Sequence, residues 1–270
     1  MNSIDLNLVF DEGPIARAYI ETLERKKISI NNLIYLGTSS IFPKNFKIQF
    51  RYKLINYKPL KYLRDREVRN FVSLVEKCFE LEDNFLIDMY AAKDIKKICK
   101  KFIFCKDPDI NSDKCCNLIS NIPSNIFLNT GKQIYKKILE IGKQFIHIHP
   151  AYLPDIRGAD GSLWMIKKYN TFAVSSFIME KEIDKGKIIS REKIKLKPLN
   201  CLSNKFSTKE LYEIWFSFVD PAIRAHHLNT LLRKKNFLAE EKITEKNGNY
   251  YSFMDKNHKK EIFKNILIKK

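Results

Sequence analysis

Residues 5–36 follow an order that few folds accept. Asp5 to Phe10 reads as a strand, Asp11-Glu12-Gly13-Pro14 as a turn, the stretch to about Lys26 as a helix, and Asn32 to Leu36 as a second strand. Gly13 lets the chain bend, and Pro14 falls in a first helical turn, where its missing N–H leaves no bond unmade. Strand, helix and strand in that order imply a parallel pair joined by a crossover, and so a doubly wound α/β sheet. The dinucleotide fingerprint G-x-G-x-x-G is missing, because Gly13 is the only glycine in the first turn. Bound NAD is therefore not expected.

A chain of 270 residues suits one such domain with an appendage. No apolar run approaches the ~18–20 residues that cross a bilayer, and the N-terminus, with Asp5, Asp11 and Glu12, lacks a signal-peptide pattern. The six cysteines (Cys78, Cys99, Cys105, Cys115, Cys116, Cys201) have no C-x-x-C spacing and read as free thiols. A cytoplasmic location is expected. The formal charge is +18, with 39 lysines to 10 arginines. Such a surface raises affinity for polyanions. The lysines are spread along the whole chain, as an A/T-rich coding sequence would write them, so a nucleic-acid partner is not expected.

Through the middle, the patterns predict helices at Arg64–Glu80 and Ala92–Lys101 and strands at Phe85–Asp88 and Phe102–Cys105. A helix ending near Ser120, a strand at Asn125–Leu128 and a helix from Lys132 to Ile141 follow, the last with Ile134, Ile138 and Ile141 on one face.

The segment from Gln144 to Lys193 carries the chemistry. Phe145-Ile146-His147-Ile148-His149 is a strand stopped by Pro150, which lacks the N–H a central strand needs. Alternation puts His147 and His149 on one face at the strand's carboxyl end, where open α/β sheets bind ligands. A loop, Ala151 to Gly161, ends at Asp160 as N-cap of a helix over Ser162–Tyr169. Strands at Phe172–Met179 and Lys187–Ile194 flank a second loop, Glu180 to Gly186. Taken alone, each residue has a plainer reading. A histidine pair two apart is most often satisfied by its neighbours, and Asp184 before Lys185-Gly186 is a turn former. Arg157-Gly158 suits a loop salt bridge, Asn129 or Thr130 a helix cap, and His226-His227 a surface or interface position.

The residues His147-Ile-His149-Pro150-Ala-Tyr-Leu153-Pro154-Asp-Ile-Arg157-Gly158 resemble the signature of the folate-dependent formyltransferases, N-x-H-P-x-x-L-P-x-x-R-G, matching six of its seven fixed positions. Asp184-Lys185-Gly186-Lys187-Ile188 resembles the family's D-x-G-x-I block and lies 35 residues beyond His149. The resemblance is good over residues 120–195 and topological before that. It implies a Rossmann-like, doubly wound, mostly parallel sheet over residues 1–200. A C-terminal helix and β-hairpin over 201–270 would form an appendage and dimerisation element, with a homodimer expected.

The resemblance also implies an activity: transfer of formyl from N10-formyltetrahydrofolate to an amine, without a metal. His149 would be the base, and Asp184 would orient it. His147 stands where the family has asparagine and would donate to the formyl oxygen in its place. Only histidine can also titrate, so the replacement leaves rate and specificity open. Phe127, Leu128, Asn129 and Thr130, with Glu182 and Ile183, fall where the family holds its folate, and Tyr152 and Arg157 beside the acceptor.

Only 74 residues follow Leu196, reading as a helix over about Thr208–Arg233 (broken at Pro221), an Asn247-Gly248 hairpin and a tail. Methionyl-tRNA formyltransferases carry a larger C-terminal barrel. The compact form is more similar to the sugar N-formyltransferases, which makes a nucleotide-linked amino sugar, or a related amino sugar acid, the expected acceptor. The alternatives are formylation of methionyl-tRNA or another amine, and an inactive or metal-dependent homologue, since H-x-H spacing also serves metal sites.

Overall fold

The computed structural model describes residues 2–37, 58–91, 93–94, 97–131, 133–235, 237–238 and 248–269. The chain enters as β1 (Asn2–Ser3) and β2 (Asn7–Phe10), crosses through α1 (Pro14–Arg25) and returns as β3 (Ile28–Leu36). Helices α2 (Lys58–Tyr62), α3 (Arg66–Cys78) and α4 (Phe85–Asp88) precede β4 (Cys99–Cys105), α5 (Asp113–Ser120) and β5 (Ile126–Asn129). A 3-10 turn at Lys137–Glu140 leads to β6 (Gln144–His149), β7 (Ile156–Gly158) and α6 (Gly161–Tyr169). After β8 (Thr171–Ile178) and β9 (Lys187–Lys195), α7 (Thr208–Ile214) passes through a π turn, Trp215–Val219, into α8 (Asp220–Lys234). Then come β10 (Asn249–Tyr251) and α9 (Lys256–Ile266).

The central sheet is mostly parallel, as expected. β3 pairs with β4 and, along successive stretches, with β1 and β2; the path then runs β2, β5, β6, β8, β9. β2 to β6 are parallel along that path, whereas β8 runs antiparallel to β6 and β9 antiparallel to β8. Phe10, Asn129 and His149 therefore end neighbouring parallel strands on one side of the sheet.

Alternate residues of these strands feed two cores, as a period of two requires. Leu8, Phe10, Leu33, Leu128, Ile146 and Ile148 pack with α1 and α8, while Val9, Ile34, Phe127 and Phe145 pack with Ile119 and Ile138. Each such side chain contributes about 1.5–3 kcal/mol of burial. In α3, Val68, Phe71, Val72 and Val75 recur at helical spacing and are buried, behind an Asp65 cap that accepts from the Glu67 amide at 2.9 Å. Residues beyond 200 share the larger core, including Leu202, Trp215, Leu228, Phe263 and Ile268. Among the described residues no helix is long and apolar enough to cross a membrane.

Several local expectations fail for identifiable reasons. Phe85–Asp88 is a helical turn rather than a strand, held by buried Glu76, which accepts from the Asn84 and Leu86 amides. Cys99–Lys101 belongs to a strand rather than to the helix expected over Ala92–Lys101, because β3 offers a full-length parallel edge. Over its described residues, 133–141, the helix expected over Lys132–Ile141 is reduced to one 3-10 turn. Asn111 Oδ1 takes the Lys136 amide at 2.7 Å and Tyr135 turns inward, leaving Ile134 56% exposed.

Pro221 does not break its helix. The carbonyl that its N–H would have served, Ser217 O, accepts instead from the Tyr90 hydroxyl at 2.7 Å, and the wide π turn makes room for the ring. Asp160 precedes α6 but does not cap it; its backbone is left-handed, and its carboxylate takes the Tyr212 hydroxyl at 2.7 Å and the Met254 amide at 2.9 Å. The first strand of the expected hairpin and Asn247 of its turn lie outside the described residues. Asn249–Tyr251 pairs in parallel with β7.

Candidate active site

The loop between β6 and α6 is anchored at both ends. Ser175 Oγ donates to Ala151 O at 2.8 Å and accepts from the Leu153 amide at 3.0 Å. The Gly158 amide donates to Asp184 Oδ2 at 2.7 Å and the Ala159 amide to Tyr251 O at 2.9 Å. Gly158 is required twice over. Its φ of +95° lies where side chains are strained, and a Cβ there would overlap Tyr251 O. These bonds bring the β8–β9 loop and β10 against the strand that carries the histidines.

His149 is only 3% exposed, and its Nε2 donates to Ile156 O at 3.1 Å. That bond puts a hydrogen on Nε2, so in the neutral ring the lone pair is on Nδ1, which faces Asp184 Oδ2 at 3.8 Å. The gap exceeds a hydrogen bond, so Asp184 stands across from the ring rather than gripping it. Burial raises the Asp184 carboxyl, but the nearby imidazoles of His149 and His147, the Gly158 amide and the Arg224 charge outweigh it and hold the pKa below the ordinary value. Asp184 is thus ionised.

His147 lies on the same strand face, 6.4 Å from His149 between ring centres and edge-on to Phe177 at 5.8 Å. Its Nδ1 meets Asn129 Nδ2 at 3.3 Å and its Nε2 meets Arg224 Nη1 at 3.4 Å. Burial first, then the Arg224 charge, push its pKa from 6.5 to about 3, against a weaker pull from Asp184. His147 is neutral at physiological pH. Asn129 ends β5, where Gly131 N at 2.7 Å and the Tyr135 hydroxyl at 2.9 Å both donate to its Oδ1. Thr130 Oγ1 donates to Val9 O at 2.8 Å and accepts from the Asp11 amide at 3.0 Å, so neither residue caps a helix.

The other expected site residues divide. Phe127 and Leu128 are wholly buried in opposite cores, leaving only their main chains for a ligand. Glu182 is exposed and paired with Lys185, and Ile183 is exposed beside it. Arg157 donates from Nη2 to Gly248 O, a strap between loop and β10 rather than a free arm. The Tyr152 ring lies under Arg191 at 5.0 Å and Lys193 at 4.7 Å. His226 and His227 are not surface residues. His227 is fully buried, with Nδ1 2.7 Å from Glu192 and Nε2 3.0 Å from Ser176 Oγ, while His226 Nδ1 donates to Phe79 O at 2.7 Å.

Sequence reasoning passed over Arg224. It is 7% exposed, its Nε donates to Asp220 Oδ2 at 2.9 Å, and its Nη1 donates to Ile148 O. Burial disfavours its charge, but Asp220 and Tyr19 outweigh that. Aspartate and arginine four apart in the first turns of the helix were the available signal.

His147, His149 and Asp184 bring one potential ligand atom each within 4.8 Å of one another. The surroundings disfavour a cation there. Both His147 nitrogens face N–H donors, and one of these belongs to a guanidinium. What the cluster suits is a proton acceptor, His149 with Asp184, beside a neutral imidazole.

Comparison with protein-family models and with curated proteins finds no match. Solved structures similar to this chain include a sugar N-formyltransferase from Shewanella sp., at 16% identity over 93% of this chain and 77% of that one, TM-score 0.46. Another is a sugar 3-N-formyltransferase in the presence of dTDP and 5-N-formyl-THF, at 16% identity over 92% and 69%, TM-score 0.45. A third is methionyl-tRNA formyltransferase from Clostridium thermocellum, at 16% identity over 83% and 73%, TM-score 0.41.

Proposed function

We propose that this chain is an N-formyltransferase acting on the amine of a nucleotide-linked amino sugar. The observation that carries the reading is the His149–Asp184 pair: a lone pair and an ionised carboxylate facing across 3.8 Å, beside a neutral imidazole at the carboxyl ends of parallel strands. N10-formyltetrahydrofolate, when bound, supplies the formyl group that the acceptor amine takes. The donor set fits it, because formyl transfer needs a proton acceptor and a donor to the carbonyl oxygen, and no charged nucleophile of the protein.

His149 takes the proton lost by the attacking amine at Nδ1, while its Nε2–H bond to Ile156 O keeps the ring in place. Asp184 stabilises the imidazolium so formed, and the Gly158 amide keeps the carboxylate there. The same Nδ1–H then returns the proton to the departing nitrogen, leaving His149 neutral. His147 donates to the formyl oxygen. The main chain at Phe127–Thr130, with Glu182 and Ile183, is the folate-side wall, and Tyr152 with Arg191 and Lys193 the phosphate-side wall, where cations stacked on an aromatic ring suit a diphosphate.

Incubation with N10-formyltetrahydrofolate and a panel of nucleotide-linked amino sugars, read by mass spectrometry, tests this directly. A formylated sugar nucleotide is expected. Formylation of methionyl-tRNA alone would move the acceptor to the alternative class, and stoichiometric zinc in protein purified without chelator would overturn the metal-free chemistry.

A further inference from the structure

We propose that Cys105 and Cys115 form a redox site, two buried thiols that hydrogen peroxide joins in a reversible disulfide between β4 and α5. The inference is independent of the formyl-transfer reading. Cys105 is the last residue of β4, Cys115 lies in the first turn of α5, and both are fully buried. Their Sγ atoms stand 2.8 Å apart, inside van der Waals contact and not far from the ~2.05 Å of a covalent bond. The fold imposes this approach. Cys105 O accepts from the Gly37 amide at 3.2 Å, and Ser112 Oγ caps α5 by accepting from the Cys115 amide at 3.2 Å. Lys106, Pro108 and Asp109 between them are exposed, so the pair lies just beneath a surface loop, within reach of a very small oxidant.

The two thiols are not equivalent. The hydrogen bond between the sulfurs holds the Cys105 pKa below the ordinary thiol value, against burial, and raises that of Cys115. Cys105 is therefore the thiolate that attacks, and Cys115 the thiol that resolves. The Cys105 thiolate takes one oxygen of the peroxide, the O–O bond breaks, and hydroxide leaves as a sulfenic acid forms. Cys115 Sγ then attacks the Cys105 sulfur, the S–O bond breaks, and the hydroxyl departs with the Cys115 proton as water. Two electrons leave the sulfurs, and with the proton first lost by Cys105 the peroxide becomes two waters. Burial instead holds the thiols of Cys78, Cys116 and Cys201 above the ordinary value, in the unreactive form. The new bond closes a ring over residues 106–114. Within that ring Asn111 Oδ1 holds the Lys136 amide, and the Ile110 amide donates to Gln133 Oε1 at 3.1 Å. Oxidation thus restrains the segment whose Tyr135 hydroxyl bonds Asn129.

Treatment of the folded, reductant-free protein with hydrogen peroxide, followed by alkylation, digestion and mass spectrometry, tests the pair. The expected product has lost two hydrogens, links Cys105 to Cys115 and returns to its starting mass with dithiothreitol. The other four of the six cysteines should remain open to alkylation. Cys116→Ser should keep the link. Cys115→Ser should lose it and leave on Cys105 a sulfenic acid that dimedone traps. In urea, where nothing holds the two sulfurs together, the wild type should give a mixture of pairings instead. A link through Cys116, or oxidation of other cysteines while Cys105 and Cys115 both stay alkylatable, would overturn the proposal. So would the same mixture of pairings in folded and in urea-unfolded protein.

Discussion

His147 and His149 sit two residues apart on one strand face, yet their surroundings assign them opposite duties. His149 gives its Nε2–H to a carbonyl and turns a lone pair toward an ionised carboxylate, which prepares it to gain a proton. His147 is hemmed in by N–H donors and a guanidinium, which prepares it never to gain one. His149→Ala should therefore reduce kcat by about 10²–10⁴-fold. The Ile156 carbonyl, left without its donor, should cost about 1–3 kcal/mol in stability. Steady-state kinetics and urea unfolding separate the two effects, and near-normal turnover would refute the base assignment.

His147 also predicts a pH effect. In the unfolded chain it titrates near 6.5, and in the folded chain near 3. Between those values the unfolded state binds more protons, so stability is complete above pH 6.5 and is lost as pH falls. The slope from this one group approaches about 1.4 kcal/mol per pH unit well below 6.5. His147→Asn, which cannot titrate, should flatten the unfolding free energy between pH 7 and 5 relative to wild type. Parallel curves for the two proteins would contradict the buried, neutral ring.

Among elements, the pairing of β7 with β10 is the joint on which the site depends, since it holds the loop whose Gly158 amide positions Asp184. Gly158→Ala would put a Cβ into Tyr251 O at a backbone angle that favours glycine. It should weaken folate binding and lower kcat while leaving the sheet intact, measurable by calorimetry beside circular dichroism. The second joint is buried His227, which ties α8 to Glu192 on β9 and Ser176 on β8. His227→Ala removes both hydrogen bonds and leaves the Ser176 hydroxyl without one of its buried partners, an event that typically costs about 1–3 kcal/mol. A shift in the urea midpoint smaller than about 1 kcal/mol would show that the pair is not what seats α8.

The elements also show which parts of the fold were legible. Strand ends marked by proline and glycine, and α3 with its four apolar positions, could be read because the signal is local. Phe85–Asp88, Cys99–Lys101 and the stretch after Lys132 could not. Glu76, the β3 edge and Asn111, respectively, decide their conformations from a distance. The site divides in the same way. Alternation put His147 and His149 on one strand face, and the family resemblance singled out Asp184, whereas Arg224 and Tyr135 reach them only once the sheet and α8 are assembled.

At the scale of the whole molecule, the parallel order β2, β5, β6 brings the carboxyl ends of strands from distant parts of the chain to one place, and the antiparallel β8–β9 pair returns Asp184 to it. The charge of +18 lies over this frame without a local cluster in the sequence. It suits an acceptor carrying phosphates and should make acceptor KM rise with salt. The most direct measurement is titration of the folded protein with a stable analogue of 10-formyltetrahydrofolate, followed by heat. Saturable micromolar binding is predicted, weakened about tenfold or more, some 1.4 kcal/mol, in Asn129→Ala and Asp184→Asn. No binding by protein that circular dichroism shows to be folded would contradict the folate site and, with it, the formyl-transfer reading.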